Sequence, residues 1–147
     1  MRRSAAHVVV AVAGAWTLVS CSSSGCSVSD AHTLRQMSLS YCYEMTPSEA
    51  PPHARTDVLY KIVIMDHKTQ QPIQGGEGTL FASNGAGART WDALTYGPEV
   101  GVYHAKLNYV IAGTWAVAIR FRRDSLAPLE RTDWMQDVLN ERPTPNP

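Results

Sequence analysis

Three cysteines and five histidines have the widest chemical reach in this chain of 147 residues. The cysteines are Cys21, Cys26 and Cys42. A thiol can be acylated, oxidised to a disulfide, or deprotonated to hold a soft metal, and spacing helps decide among these fates. No Cys-x-x-Cys pair occurs, so neither a zinc site nor a thioredoxin-like redox pair is supported. A soft-metal site needs thioether or imidazole groups that converge. The candidates are His53, Met65, His67 and His104. His67 falls in a turn and His104 on the polar face of a strand. Both read as solvated surface histidines, so no metal or cofactor is expected.

Nucleophilic catalysis finds no support either. There is no Gly-x-Ser-x-Gly and no other framed serine. Gly85-Ala86-Gly87 lacks the third glycine and the strand-then-helix setting of a nucleotide loop, and it reads as a turn. The acidic residues are scattered, with no pair set apart as an acid and a base. No catalytic residue is assigned, and the expectation is a chain that is not an enzyme.

Cys21 has the clearest setting. Met1-Arg2-Arg3 supplies a positive start, and Val8 to Val19 is an apolar run of 12 residues. That length suits the hydrophobic region of a signal peptide and falls short of the roughly 20 residues of a membrane-spanning helix. Leu18-Val19-Ser20-Cys21 follows and looks like a bacterial lipobox. In such a motif the thiol receives lipid, the peptidase cuts before it, and small residues fit the cleavage site. The new amino terminus is Cys21, and several acyl chains of the palmitate type anchor durably where one binds only marginally. Two alternatives stay open: Val8 to Val19 as a buried element of the domain, or an ordinary signal peptide with an incidental cysteine. Ser22 rather than Asp after the cysteine favours outer-membrane sorting in a Gram-negative cell of the usual type.

With Cys21 lipidated, Cys26 and Cys42 remain, in an oxidising compartment. Joined, they close a loop of about 17 residues, worth about 3 kcal/mol in the chain-entropy model. Along residues 37–45, Met37, Leu39, Tyr41, Tyr43 and Met45 share one face, and Ser38, Ser40, Cys42 and Glu44 share the other. Cys42 then points away from the core, where a flanking segment can reach it. The alternative is two free thiols.

These residues must be positioned by strands, because period-two alternation recurs along the chain. After residues 37–45 the pattern gives Val58 to Met65, Gly78 to Ser83, Ala88 to Tyr96, Gly101 to Ile111 and Trp115 to Arg122. Val58 to Met65 is apolar on both faces apart from Lys61. Tyr103, Ala105, Leu107, Tyr109 and Ile111 line one side of the fifth run, and Trp115, Val117, Ile119 and Phe121 one side of the sixth. Turn residues separate them, among them Pro51-Pro52, Asn84-Gly85, Gly97-Pro98 and Ala112-Gly113. The expected fold is mainly β: a single antiparallel immunoglobulin-like β-sandwich of six or seven strands after a signal peptide. Thr132 can cap a short C-terminal helix, since Trp134 and Val138, and Met135 and Leu139, recur at helical spacing. The expected organisation is residues 1–20 as signal peptide, 21–35 as lipidated tether with a flexible Ser22-Ser23-Ser24-Gly25, 36–126 as sandwich, and 127–147 as helix and Pro-rich tail.

Composition narrows the partners. Removing Arg2 and Arg3 with the leader leaves 11 basic against 13 acidic residues. That gives no electrostatic reason to expect nucleic acid. Arg120, Arg122 and Arg123 form the densest basic cluster and read as the solvent face and end of a strand. Trp91, Tyr96, Tyr103, Tyr109 and Trp115 read as core, with a carbohydrate- or protein-binding patch as the alternative.

Two stretches carry a resemblance. Ile64-Met65-Asp66 through Gln71-Pro72-Ile73-Gln74-Gly75 is similar to the strand, turn and Pro-Ile/Val-x-Gly step of many extracellular β-sandwich modules. Gly101-Val102-Tyr103-His104-Ala105, followed by Gly113-Thr114-Trp115-Ala116-Val117, resembles the YtkA-like and FixH-like family over about residues 37–123. The resemblance implies an exported or membrane-tethered bacterial β-sandwich, sometimes linked to copper or oxidase assembly. Where many relatives carry a Met-Pro-x-Met-like segment, this chain reads Ser83-Asn84-Gly85-Ala86-Gly87-Ala88, without sulfur or imidazole. The expectation is therefore a non-enzymatic binding or structural module of the cell envelope. It is lipid-anchored to the cell membrane or outer membrane, with its domain on the non-cytoplasmic side and an envelope protein as partner. A copper-handling or oxidase-assembly accessory is the alternative.

Overall fold

The computed structural model describes residues 32–143. The stretch read as a signal peptide, Cys21 and Cys26 lie outside the described residues, as does the tail from residue 144. The described residues form nine strands in two antiparallel sheets: β1 (Leu34–Met37), β2 (Tyr41–Pro47), β3 (Asp57–Asp66), β4 (Glu77–Asn84), β5 (Arg89–Ala93), β6 (Thr95–Tyr96), β7 (Val102–Asn108), β8 (Gly113–Arg122) and β9 (Glu130–Val138). The first sheet runs β1-β2-β3-β7-β6 and the second β5-β4-β8-β9. With β1 set aside, these orders match the ABED and C′CFG sheets of an immunoglobulin-like sandwich.

Alternation decides which side chains enter. Val58, Tyr60, Ile62 and Ile64 of β3 are buried, as are Tyr103, Ala105 and Leu107 of β7 and Trp115, Val117, Ile119 and Phe121 of β8. Burying a large side chain of this kind is worth roughly 1.5–3 kcal/mol, so one face of each strand is strongly specified. Aromatic rings meet edge to face across the core: Tyr41 and Tyr103 against Phe121 at 5.0 and 5.5 Å, Tyr109 against Trp115 at 5.2 Å. Their polar tips find partners. Tyr60 and Tyr109 share a buried hydroxyl contact at 2.7 Å, Tyr103 donates to the Ile73 carbonyl at 3.0 Å, and Trp115 Nε1 donates to Ile111 O at 3.0 Å. Gly101, between β6 and β7, has φ +76°, and a Cβ there would lie 2.4 Å from Pro72 Cβ, so the close approach needs glycine.

Both seams between the sheets are closed. β5 belongs to the second sheet, and its inward side chains reach β7 in the first. Asp92 accepts from the Lys106 amide at 2.8 Å and Thr90 from the Asn108 amide at 3.3 Å. On the opposite side Glu130 of β9 accepts from Ser40 N at 3.0 Å, and a parallel bridge pairs His53 with Leu139.

The structure corrects several expectations. Residues 37–45 are not one strand. The Ser38 amide bonds Tyr41 O at 2.9 Å, turning the chain, and β1 pairs back on β2. Leu39, at the turn, is 87% exposed. The C-terminal helix is replaced by β9, which pairs with β8 over nine residues. Thr132 is paired with Ile119 and caps no helix. The sandwich therefore starts inside the stretch read as tether and extends past residue 126. β3 is covered on one face rather than two, since Leu59 is 58% exposed. The run from Ala88 to Tyr96 divides at Leu94 into β5 and β6, which lie in different sheets.

Candidate functional site

The outer face of the second sheet is built by register. Phe81 of β4 pairs with Trp91 of β5 and with Ala118 of β8, and Ala118 pairs with Asp133 of β9. Paired residues share a face, so Trp91, Phe81, Ala118 and Asp133 form one row. The next row is Arg89, Ser83, Ala116 and Met135, and the row on the other side is Ala93, Thr79, Arg120 and Arg131. Trp91 is 67% and Met135 66% exposed. Ala116 and Ala118 of β8 bring small side chains to the middle of the sheet beside Phe81 of β4, with Trp91 on one edge strand and Met135 on the other. Charge rims it: Arg131 Nε donates to both oxygens of Asp133 at 3.0 Å, and Arg89 and Arg120 are exposed. The Asp133 carboxylate, by hydrogen bond and then by charge, raises the Arg131 guanidinium above its ordinary value.

Sequence reasoning weighed five aromatic residues together as core. Tyr103, Tyr109 and Trp115 are core, fully buried. Trp91 and Tyr96 are not: Tyr96 is 41% exposed, and Trp91 faces outward from an edge strand. The missed signal is parity. Asp92 and Thr90 flank Trp91 and occupy the inward positions, where they cap β7, so Trp91 must point out.

The candidate metal ligands are spread over the fold. His53, in the loop before β3, contacts Glu49. Burial works to raise the Glu49 pKa, but hydrogen bonds from His53 and Arg142 outweigh it and hold the carboxyl below its usual range. His104 stands on the outer face of β7, paired with Lys61, four residues from Met65 along β3 and so about 13 Å away. His67 follows β3, with Nδ1 3.7 Å from Cys42 Sγ. Among the described residues no three His, Cys, Asp or Glu side chains gather as a metal cluster. Only Met65 and His67 of the four candidates are neighbours. Met37 and Cys42 join them, since Met37, Cys42 and Met65 are register partners across β1, β2 and β3.

Cys42 faces away from the core as its parity requires, since Tyr41, Tyr43 and Met45 belong to the core cluster and Cys42 does not. Gly85-Ala86-Gly87 is the β4–β5 turn, where Asn84 Oδ1 accepts from the Ala86 and Ala88 amides at 3.1 and 3.0 Å. Of the arginine cluster, Arg122 pairs with Glu77 and Arg123 with Asp66 at the end of β8. Near that end an open cleft is lined by Ser40, Tyr41, Asp66, Lys68, Arg123 and Asp124, a mixture of both charges. Among the described residues no helix is long and apolar enough to cross a membrane.

No protein-family profile matches the chain, and no curated protein does. A solved structure is similar in fold: a DUF4426 family protein from Pseudomonas aeruginosa, at 11% identity and a TM-score of 0.58. The match covers 76% of this chain and 98% of that one. At that identity the likeness shows a shared β-sheet fold and nothing of activity.

Proposed function

We propose that this chain is an exported lipoprotein, acylated at Cys21, whose YtkA-like sandwich is a non-enzymatic module that binds an envelope protein. Leu18-Val19-Ser20-Cys21 behind a short apolar run supports the anchor. Cys26 and Cys42 form its disulfide, as an oxidising compartment allows. The observation that carries the binding reading is the outer face of the second sheet. A face with an outward tryptophan, an exposed methionine and a charged rim has the composition of a protein-binding patch, where aromatic residues, Met and Arg are enriched.

The test is crosslinking in intact envelopes, followed by capture of the chain. Wild type is expected to return one reproducible protein partner. Trp91→Ala should lower its yield about tenfold, the loss of a moderate hot spot, without shifting the unfolding midpoint. Capture of no reproducible partner, or equal yields from both proteins, overturns the reading. Labelled palmitate in wild type but not in Cys21→Ser tests the anchor separately.

The second reading, a copper-handling accessory, is supported by one corner of the first sheet. There the thioethers of Met37 and Met65 share a row, and the His67 imidazole lies beside it. Metal analysis after copper exposure tests it. About one copper per chain, lost in Met65→Leu with His67→Ala, supports it, and a metal-free protein removes it.

A further inference from the structure

β9 is an edge strand of the second sheet, and among the described residues its edge is tied down only at the two ends. At one end Glu130 accepts from the Ser40 amide. At the other, the Leu139 amide donates to Pro52 O at 2.8 Å and Leu139 O accepts from the Ala54 amide at 2.9 Å. Those two bonds fix the parity of the strand. The N–H and C=O of Leu139 face away from β8, and in an antiparallel ladder alternate residues face the same way. The backbone groups of Arg131, Asp133, Met135 and Asp137 therefore point outward from the sheet edge. Among the described residues the one group they meet is the Gln136 side-chain amide, which donates to Asp137 O at 2.9 Å.

Sheets defend such an edge with a proline, a bulge, an inward charge or a short strand. β9 pairs with β8 over nine residues without a break, and it contains no proline. The inward positions of its central part, Thr132, Trp134 and Gln136, carry no charge. The charges that flank them, on Arg131, Asp133 and Asp137, are of both signs, so they select a partner strand rather than repel every one.

The strand they select is a second copy of β9. An antiparallel pair about a twofold axis is isologous: residue i meets j, and j meets i. Centred on Trp134, it sets Arg131 against the partner's Asp137, Asp133 against the partner's Met135, and Trp134 against itself. All four outward backbone positions are then paired, and each pair exchanges two hydrogen bonds. Opposite charges and aromatic pairs are favourable directly across such a ladder, and like charges are not. Moving the axis to Asp133 sets that carboxylate against its own copy, and moving it to Met135 sets Asp133 against the partner's Asp137. Within one chain Arg131 is the register partner of Arg120, a like-charge neighbour that the partner's Asp137 offsets. The register also ends at Asp137, short of Leu139, where the edge is already taken by Pro52 and Ala54.

We infer that the protein forms a twofold dimer by antiparallel pairing of β9 with β9 of a second copy, centred on Trp134. The two four-stranded sheets continue as one across the axis, with both Trp91 side chains on the same side of it and near its two far edges.

The mass of the full-length chain in detergent, by light scattering with the detergent's share subtracted, tests this across a dilution series. Wild type is expected at twice the mass of one chain, falling on dilution. Met135→Pro removes an outward amide and spares the bonds to β8, a place where an edge strand tolerates proline. It is expected as a monomer with an unchanged far-ultraviolet circular dichroism spectrum. Asp137→Arg sets a like charge opposite Arg131 and is expected to weaken the dimer about tenfold. Arg131→Asp combined with Asp137→Arg restores the opposite charges and is expected to recover the dimer, a rescue specific to this register. A single-chain mass for wild type throughout the series overturns the dimer. A doubled mass that Met135→Pro and Asp137→Arg leave unchanged also overturns it, since the copies then meet by another surface or only share a micelle. If Met135→Pro does not fold, the charge variants decide: no weakening in Asp137→Arg, or no recovery in the double variant, overturns the pairing.

Discussion

Two buried phenols show how little separates a satisfied core from a strained one. Tyr60 and Tyr109 hydroxyls each have the other as partner at 2.7 Å, and burial pushes both above the ordinary tyrosine range, so both stay neutral. Tyr60→Phe leaves the Tyr109 hydroxyl buried and alone, a cost of about 1–3 kcal/mol. The double variant Tyr60→Phe, Tyr109→Phe removes the orphan with its partner. Urea denaturation should show it losing clearly less than the sum of the two single changes, and additive losses would show that the pair is not coupled. Asp66 is a second case. Amide hydrogen bonds from Thr69, with the Arg123 guanidinium and the Lys68 amide, outweigh desolvation and bring its carboxyl down to about 2. A depressed carboxylate stabilises above its unfolded value, about 4, and loses that contribution as pH falls through about 2. The stability gap between wild type and Asp66→Asn should be about 1 kcal/mol near neutrality and should close over that acid window. A gap independent of pH would contradict it.

Among the elements, β9 carries the sharpest test. As a strand it turns Trp134 inward onto the core and Met135 out to solvent. Trp134→Ala should cost about 2–3 kcal/mol and Met135→Ala less than about 0.5, measured by thermal unfolding. Equal costs would contradict the register. The sequence reading missed this strand for a physical reason. Met135 is apolar and faces outward, which breaks the period-two pattern, while Trp134 with Val138 and Met135 with Leu139 fit a helical one. β7 and β8 were legible because their outward positions are mostly polar or small, with His104, Lys106, Arg120 and Arg122 among them. The β1–β2 turn was hidden for the opposite reason. Ser38-Leu39-Ser40 contains no glycine or proline, and the apolar alternation runs straight through it. The candidate sites were legible only in part. The Cys21 motif and the outward parity of Cys42 are local patterns. The Trp91 platform depends on which strands become neighbours, and that is set by the whole sheet.

Taken as a whole, the molecule offers two unlike outer faces on one immunoglobulin-like frame. The second sheet's face is apolar at its centre and charged at its rim. The first sheet's face brings the sulfur atoms of Met37, Cys42 and Met65 into one row. The predicted loss of partner capture in Trp91→Ala, with stability unchanged, belongs to this scale.

The side chains that cap β7 have a further effect on the protein's company. An uncovered strand edge is a template on which another chain can pair. Along β7 beyond β6, the amides of Lys106 and Asn108 are already held by Asp92 and Thr90 of the same chain. A neighbouring copy finds no donors there to zip against. Even at high concentration, this stretch of β7 has its amides engaged within the chain and unavailable to a second copy.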